Sequence, residues 1–287
     1  MVRSPGPVRY RAACLSFDRK GRLFHLPDAE LRVDAQGRFE RVAPWRGAGR
    51  GGMRTVDRRG LLAIPGLIDA HCHLSQYPAV AADGLQLLPW LKRHIFPLER
   101  AFRGAKARAL ARRFFADMAS CGTTTACVYT TVWKDSAELC FQEAEASGLR
   151  VIMGKVMMDR GSYDTAFGRA HPGVSRRAVS LAESEALCER WHGRDRGRLS
   201  YAFTPRFALS CSMELMKGAA RLAERHGAYI QTHLAENQDE LMAVRAAFPG
   251  CRNYTDVYER AGLLGPRTIL AHCIWLGAGE YRRLEAR

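Results

Sequence analysis

From residue 65 onward, short apolar runs alternate with long amphipathic stretches. No other feature constrains the fold as strongly. The apolar runs read as strands at 66–73, 123–129, 151–158, 200–209, 229–236 and 268–275. The stretches between them read as helices at 105–120, 136–146, 176–191, 212–225 and 239–247. Leu215, Ala219, Leu222 and Ala223, for example, recur at helical spacing. Ser212 stands where an N-cap is needed, and Gly148 and Gly227 stand where helices should stop. Repeated strand–helix order demands a parallel sheet with right-handed crossovers. Six such units in a row predict a (β/α) barrel of the TIM type, whose chemistry gathers at the C-terminal ends of its strands.

The first 64 residues follow another pattern. Alternating stretches at 8–17, 31–33, 39–42 and 61–64 are separated by turn formers such as Asp34-Ala35-Gln36-Gly37. They predict a small antiparallel β segment. The expected domains are therefore 1–64, part of a small β-sandwich, and 65–287, a partial barrel. Gly47, Gly49 and Gly52 match G-x-G-x-x-G, but no helix opens after them. A basic loop is the better reading than a dinucleotide site.

Charge narrows the partners. The formal net charge is +15, and all but six of the 44 basic residues are Arg. They are scattered among Asp and Glu and form no stripe, so no nucleic-acid partner is expected. No window approaches the roughly 18 uninterrupted apolar residues of a membrane span. The N-terminus shows no signal-peptide pattern, and no membrane partner is expected. Nine Cys, an odd number with no Cys-x-x-Cys, make a poor disulfide framework. Free thiols fit a reducing, cytoplasmic compartment.

Chemistry is signalled by histidine. His71-Cys72-His73 ends the first barrel strand, His233 the fifth and His272 the sixth. Residues two apart in a strand share a face, so His71 and His73 aim together. Imidazoles at matching ends of three strands predict a catalytic metal, zinc or ferrous iron, with one position open for water. Such a set points to metal-assisted hydrolysis. Glu236, three residues after His233, can shuttle protons there, although the same carboxylate would also serve as a helix cap. His25, His94, His171, His192 and His226 read as solvent-facing residues of loops or helices. The H-x-E with P-C-x-x-C signature of the cytidine deaminases is absent.

The segment Pro65-Gly66-Leu67-Ile68-Asp69-Ala70-His71-Cys72-His73 resembles the opening signature of the amidohydrolase superfamily. Several other segments look like the guanine deaminases of that superfamily. These are Leu74-Ser75-Gln76-Tyr77, Leu88-Pro89-Trp90-Leu91, Phe96-Pro97, Gly154-Lys155-Val156-Met157-Met158-Asp159, Thr204-Pro205-Arg206-Phe207, His233-Leu234-Ala235-Glu236-Asn237 and Ala271-His272-Cys273. The resemblance implies hydrolysis of guanine to xanthine and ammonia. It implies one Zn²⁺ per subunit, with Fe²⁺ the alternative, on His71, His73 and His233. Glu236 would protonate the purine ring nitrogen beside the attacked carbon, and His272 would orient the metal-bound water or the developing charge. Gln76 and Arg206 would hold the carbonyl and amide edge of the ring, with Phe207 and His233 beside it. Outside that role, Arg206 reads as a surface ion pair and Gln76 as a loop cap. Relatives also suggest a homodimer of the full-length protein.

The same pattern calls for an Asp at the end of an eighth strand, as ligand and general base. The sequence stops at Arg287, with 277–287 reading as the start of a helix, and none of Asp69, Asp83, Asp159 or Asp256 matches that position. The expectation is an incomplete barrel of about six units, belonging to a longer protein or inactive alone. Two other readings remain. One is another aromatic-ring deaminase or chlorohydrolase of the superfamily, and the other is a non-catalytic metal-binding fragment.

Overall fold

The computed structural model describes residues 6–47, 52–82 and 84–287. Gly49 and its neighbours 48–51 in the basic loop, and Asp83, lie outside the described residues. The chain divides into two compact units, one ending at Gly66 and the other beginning at Leu67.

The first unit is a four-stranded sheet of β1 (Val8–Phe17), β2 (Leu23–Val33), β3 (Phe39–Pro44) and β4 (Arg54–Ala63), in the order β3-β2-β1-β4. β1 pairs antiparallel with β2, and β2 with β3. β4 joins β1 in parallel, so the sheet is mixed rather than wholly antiparallel. Asp18 and Asp34 make the tight turns: each Oδ1 accepts two backbone N–H groups at 2.8–2.9 Å. β2 is far longer than the expected 31–33. Pro27 and Asp28 mask it in sequence, but full-length pairing with β1 overrides local propensity. The core is small, built on Ala12, Cys14, Ala29 and Leu31.

The second unit holds β5 (Leu67–His73), β6 (Thr123–Tyr129), β7 (Arg150–Gly154), β8 (Val156–Met157), β9 (Leu199–Pro205), β10 (Tyr229–Leu234) and β11 (Thr268–His272). All pairings are parallel, in the order β11-β10-β9-β7-β6-β5, with β8 on β9. The His71 and His272 rings, at the C-terminal ends of the first and last strands, lie 5.0 Å apart between centroids. The sheet is therefore rolled into a nearly closed barrel wall of six main strands.

Local chemistry explains the boundaries. The expected strand at 151–158 breaks at Lys155. A side chain at Gly154 would collide with the Ala202 carbonyl, so β7 and β9 approach there as only glycine allows. Ser212 Oγ accepts from Leu215 N at 3.1 Å and starts the helix Met213–His226. Gly227 ends it at φ +59°, and Gly148 ends Lys134–Ser147 at φ +78°. The helix Tyr254–Ala261, capped by Asn253, and the helical run from Leu87 to Ala101 were not among the expected elements. Both are short or interrupted, which blurs their periodicity. Phe141 packs at the centre of the helical layer, stacked on Trp191 at 5.2 Å and Tyr201 at 5.9 Å. All nine Cys are free thiols. Among the described residues no helix is long and apolar enough to cross a membrane.

Candidate active site

His71, His73, His233 and His272 come together at the C-terminal ends of β5, β10 and β11. The His71 ring sits 5.0 Å from His73, 4.8 Å from His233 and 5.0 Å from His272. Nitrogens of His71, His233 and His272 all lie within 4.8 Å of one another. His73 Nε2 approaches His233 Nε2 to 2.9 Å. The Tyr129 ring stacks on His73 at 4.5 Å and backs the cluster.

The protonation states suit metal binding. Burial, then the neighbouring His272 and Arg206, lowers the His71 pKa to about 4. Burial also drives His73 and His233 well below the usual range. His233 Nδ1 faces the Arg206 carbonyl at 2.6 Å and donates to it, so the lone pair of the neutral ring sits on Nε2, toward His73. His71 Nδ1 and His73 Nδ1 are buried without a hydrogen-bond partner. Neutral, convergent imidazoles with orphaned nitrogens form a donor set that fits a borderline divalent ion.

Glu236 and His272 stand at the mouth, with side chains 30% and 25% exposed and 3.3 Å between Oε2 and Nε2. Burial, reinforced by the charge of Glu240, raises the Glu236 carboxyl to about 7. The capping alternative falls to its neighbours. Asn237 caps the helix Gln238–Ala247, while Glu240 accepts the Glu236 and Asn237 N–H groups at 2.9 and 3.3 Å. Glu240 is itself fully buried and accepts from Tyr254 Oη at 2.9 Å. The backbone here is unusual. Ala235, His272 and Cys273 adopt φ of +54°, +71° and +56°. This turn lets Cys273 N reach the Leu234 carbonyl at 2.8 Å.

Opposite stand Gln76 and Arg206. Arg206 is no surface residue: it is 2% exposed, and its Nη1 donates to both oxygens of Glu99 at 2.7 and 2.6 Å. Burial alone would lower the guanidinium pKa, but the Glu99 charge holds it above its ordinary value. Gln76 Nε2 donates to the same Glu99 at 2.9 Å. Phe207 is buried beside them. None of the eight residues singled out from the sequence lies apart: each of His71, His73, Gln76, Arg206, Phe207, His233, Glu236 and His272 lines one cavity of about 110 Å³, with Leu87, Trp90 and Leu91 as its apolar wall. Glu99 and Glu240 carry no motif and were missed. The adjacent Phe96-Pro97 was the nearest signal to Glu99.

Other candidates carry less. A larger cavity of about 480 Å³ beside Trp133 has internally paired charges, Lys155–Glu183 at 3.3 Å and Arg190–Glu138 at 3.1 Å. Glu185, Glu189 and His226 cluster on helix surfaces, but Arg225 already pairs with Glu185 at 2.8 Å. Of the remaining histidines, His25 is solvent-facing as expected but on a strand, β2, and the other four are less exposed than expected. His94, His171, His192 and His226 are half-buried, and His192 Nδ1 accepts the Tyr201 N–H at 3.1 Å. Asp159 is taken by Ser212, and Asp256 by Arg252 and Arg260.

Residues 62–287 match the family model described as the amidohydrolase family. Guanine deaminase of Escherichia coli K12 is 41% identical over 235 residues, 81% of this chain and 52% of that protein. A probable guanine deaminase of Deinococcus radiodurans is 42% identical over 236 residues, 80% of this chain and 51% of that protein. The chain thus spans about half the length of the curated relatives it matches. Among solved structures, a C. acetobutylicum guanine deaminase with guanine in its active site superposes with a TM-score of 0.88 at 28% identity, covering 98% of this chain and 66% of that one. The chain belongs to the amidohydrolase family.

Proposed function

We propose that this chain carries the active-site face of a guanine deaminase. The observation that carries the reading is one cavity with two unlike walls: neutral, converging imidazoles with Glu236 on one, and the Glu99-bound pair Arg206 and Gln76 on the other. Relatives named as guanine deaminases support it.

In this reading His71, His73 and His233 hold one Zn²⁺. The chemistry such an ion supplies is Lewis acidity, with a water made nucleophilic near neutral pH. Arg206 and Gln76 seat the carbonyl and ring N–H of guanine and so aim its amino-bearing carbon at the histidines. Phe207 bounds the ring. Water oxygen adds to that carbon, and the C–N bond to the exocyclic amine breaks. Glu236 gives a proton to the adjacent ring nitrogen as electrons move into the ring; of the water's two protons, one leaves on the amine as ammonia and the other restores Glu236. A carboxyl raised to about 7 both holds and releases a proton near neutral pH. His272, in contact with Glu236, orients the attacking water or the developing charge.

The test uses protein purified with Zn²⁺. Metal per chain and guanine binding are measured first, then guanine loss in the ultraviolet. One ion per chain, with guanine binding that Arg206→Ala weakens, supports the reading. Failure to hold either metal or guanine overturns it. The guanine-deaminase pattern also calls for a carboxylate with no counterpart assigned among residues 1–287. Turnover by these residues at the rate of an ordinary enzyme would overturn the role given to that carboxylate.

A further inference from the structure

Glu99 is fully buried, and no step above uses it. It lies in the short helix Phe96–Ala101, with Pro97 in the first turn. The Trp133 indole donates to its backbone carbonyl at 3.3 Å, which pins the helix. Its carboxylate accepts from Arg206 Nη1 and from Gln76 Nε2. An ionised carboxylate paired with a guanidinium is an acceptor only. Gln76 must therefore turn its NH₂ end toward Glu99. The other end of the amide, Oε1, is left as an acceptor for the cavity that Gln76 lines. Arg206 offers only donors, and with Nη1 committed to Glu99 its remaining N–H groups are the ones free to bind.

The wall thus shows a donor beside an acceptor, in fixed order. A ring lactam, C=O beside N–H, is its complement. A ring amidine, C–NH₂ beside a bare nitrogen, presents the same two atoms with polarity reversed. We propose that Glu99 is the positioning residue that sets this polarity, and that it thereby selects the lactam edge of guanine over the amidine edge of a 6-aminopurine. The inference rests on the guanine reading above.

The discriminating probe is 2,6-diaminopurine, which keeps the amine at the reacting carbon and changes only the edge. Affinities for guanine and for this analogue are compared in the zinc-loaded protein by tryptophan fluorescence, since Trp90 lines the cavity. A site that hydrogen-bonds its ligand's polar groups rejects a mismatched analogue strongly, so a preference for guanine of at least about 100-fold is expected. Glu99→Gln keeps the shape but can donate as well as accept, freeing Gln76 to flip. The preference should then shrink to within about tenfold, with the analogue gaining as guanine loses. A merely structural role would weaken both ligands alike, and that result would overturn the proposal. Should Glu99→Gln fail to fold, Gln76→Leu removes the acceptor and one donor to Glu99 but keeps both members of the buried Arg206–Glu99 pair. It must lose the same preference, and retention of the preference overturns the proposal. Wild-type protein that binds neither purine would overturn the guanine reading itself. Wild-type preference that survives in Glu99→Gln would overturn only the role of Glu99.

Discussion

On one wall of the cavity, His71 and His73 each leave a buried nitrogen without a partner, and Glu236 is held near neutrality. On the other, Arg206 and Gln76 satisfy the Glu99 carboxylate at 2.6–2.9 Å. Both walls are polar but open in different ways: the first lacks partners at its own nitrogens, while the second closes around Glu99 and leaves Gln76 Oε1 and the other Arg206 N–H groups to the cavity. Converging unsatisfied nitrogens favour a bound partner, whereas a network closed around a buried carboxylate holds its members in a fixed orientation.

Mutations should separate the walls. Removing two imidazoles, His71→Ala with His73→Ala, should weaken zinc binding by at least about 1,000-fold in a chelator competition, while the fold survives. Unchanged zinc affinity would show that the orphaned nitrogens serve some other purpose. Arg206→Ala should do the reverse. It leaves a charge at 0% exposure without its partner, and stability should fall by about 3–5 kcal/mol in denaturant unfolding. The paired change Arg206→Met with Glu99→Leu should cost less than Arg206→Ala alone. A larger loss in the pair would mean that the frame stabilises by more than mutual charge compensation. Tyr254→Phe strips one donor from the buried Glu240 beneath Glu236. A loss of about 1.5–3 kcal/mol is expected, with zinc content unchanged. A change in zinc content instead would join that network to the metal wall.

The histidine wall was legible in the sequence because two short-range rules meet there. Strand alternation aims His71 and His73 together, and strand–helix repetition puts their ends beside those of β10 and β11. The frame was only half legible. Arg206 and Gln76 were found through their motifs, but Glu99 lies 23 residues from Gln76 and 107 from Arg206, beyond any periodic signal. Nothing local distinguishes it from an exposed helical Glu. The mixed pairing of β4 and the break at Lys155 were missed for a related reason. Each depends on which neighbour a strand meets, as Gly154 meets Ala202, and not on its own residues.

At His272 the main chain turns through φ +71°, a conformation that costs an L-residue about 1–2 kcal/mol and a glycine almost nothing. Consider a library of all amino acids at this position, sorted twice. Sorting for abundance of folded protein should enrich Gly and Asn, while sorting for ligand retention should enrich His. The two rankings run in opposite directions at a single codon. Opposed rankings would mean that the strain at position 272 is kept for what the ring does in the site, and agreement between them would remove that reading.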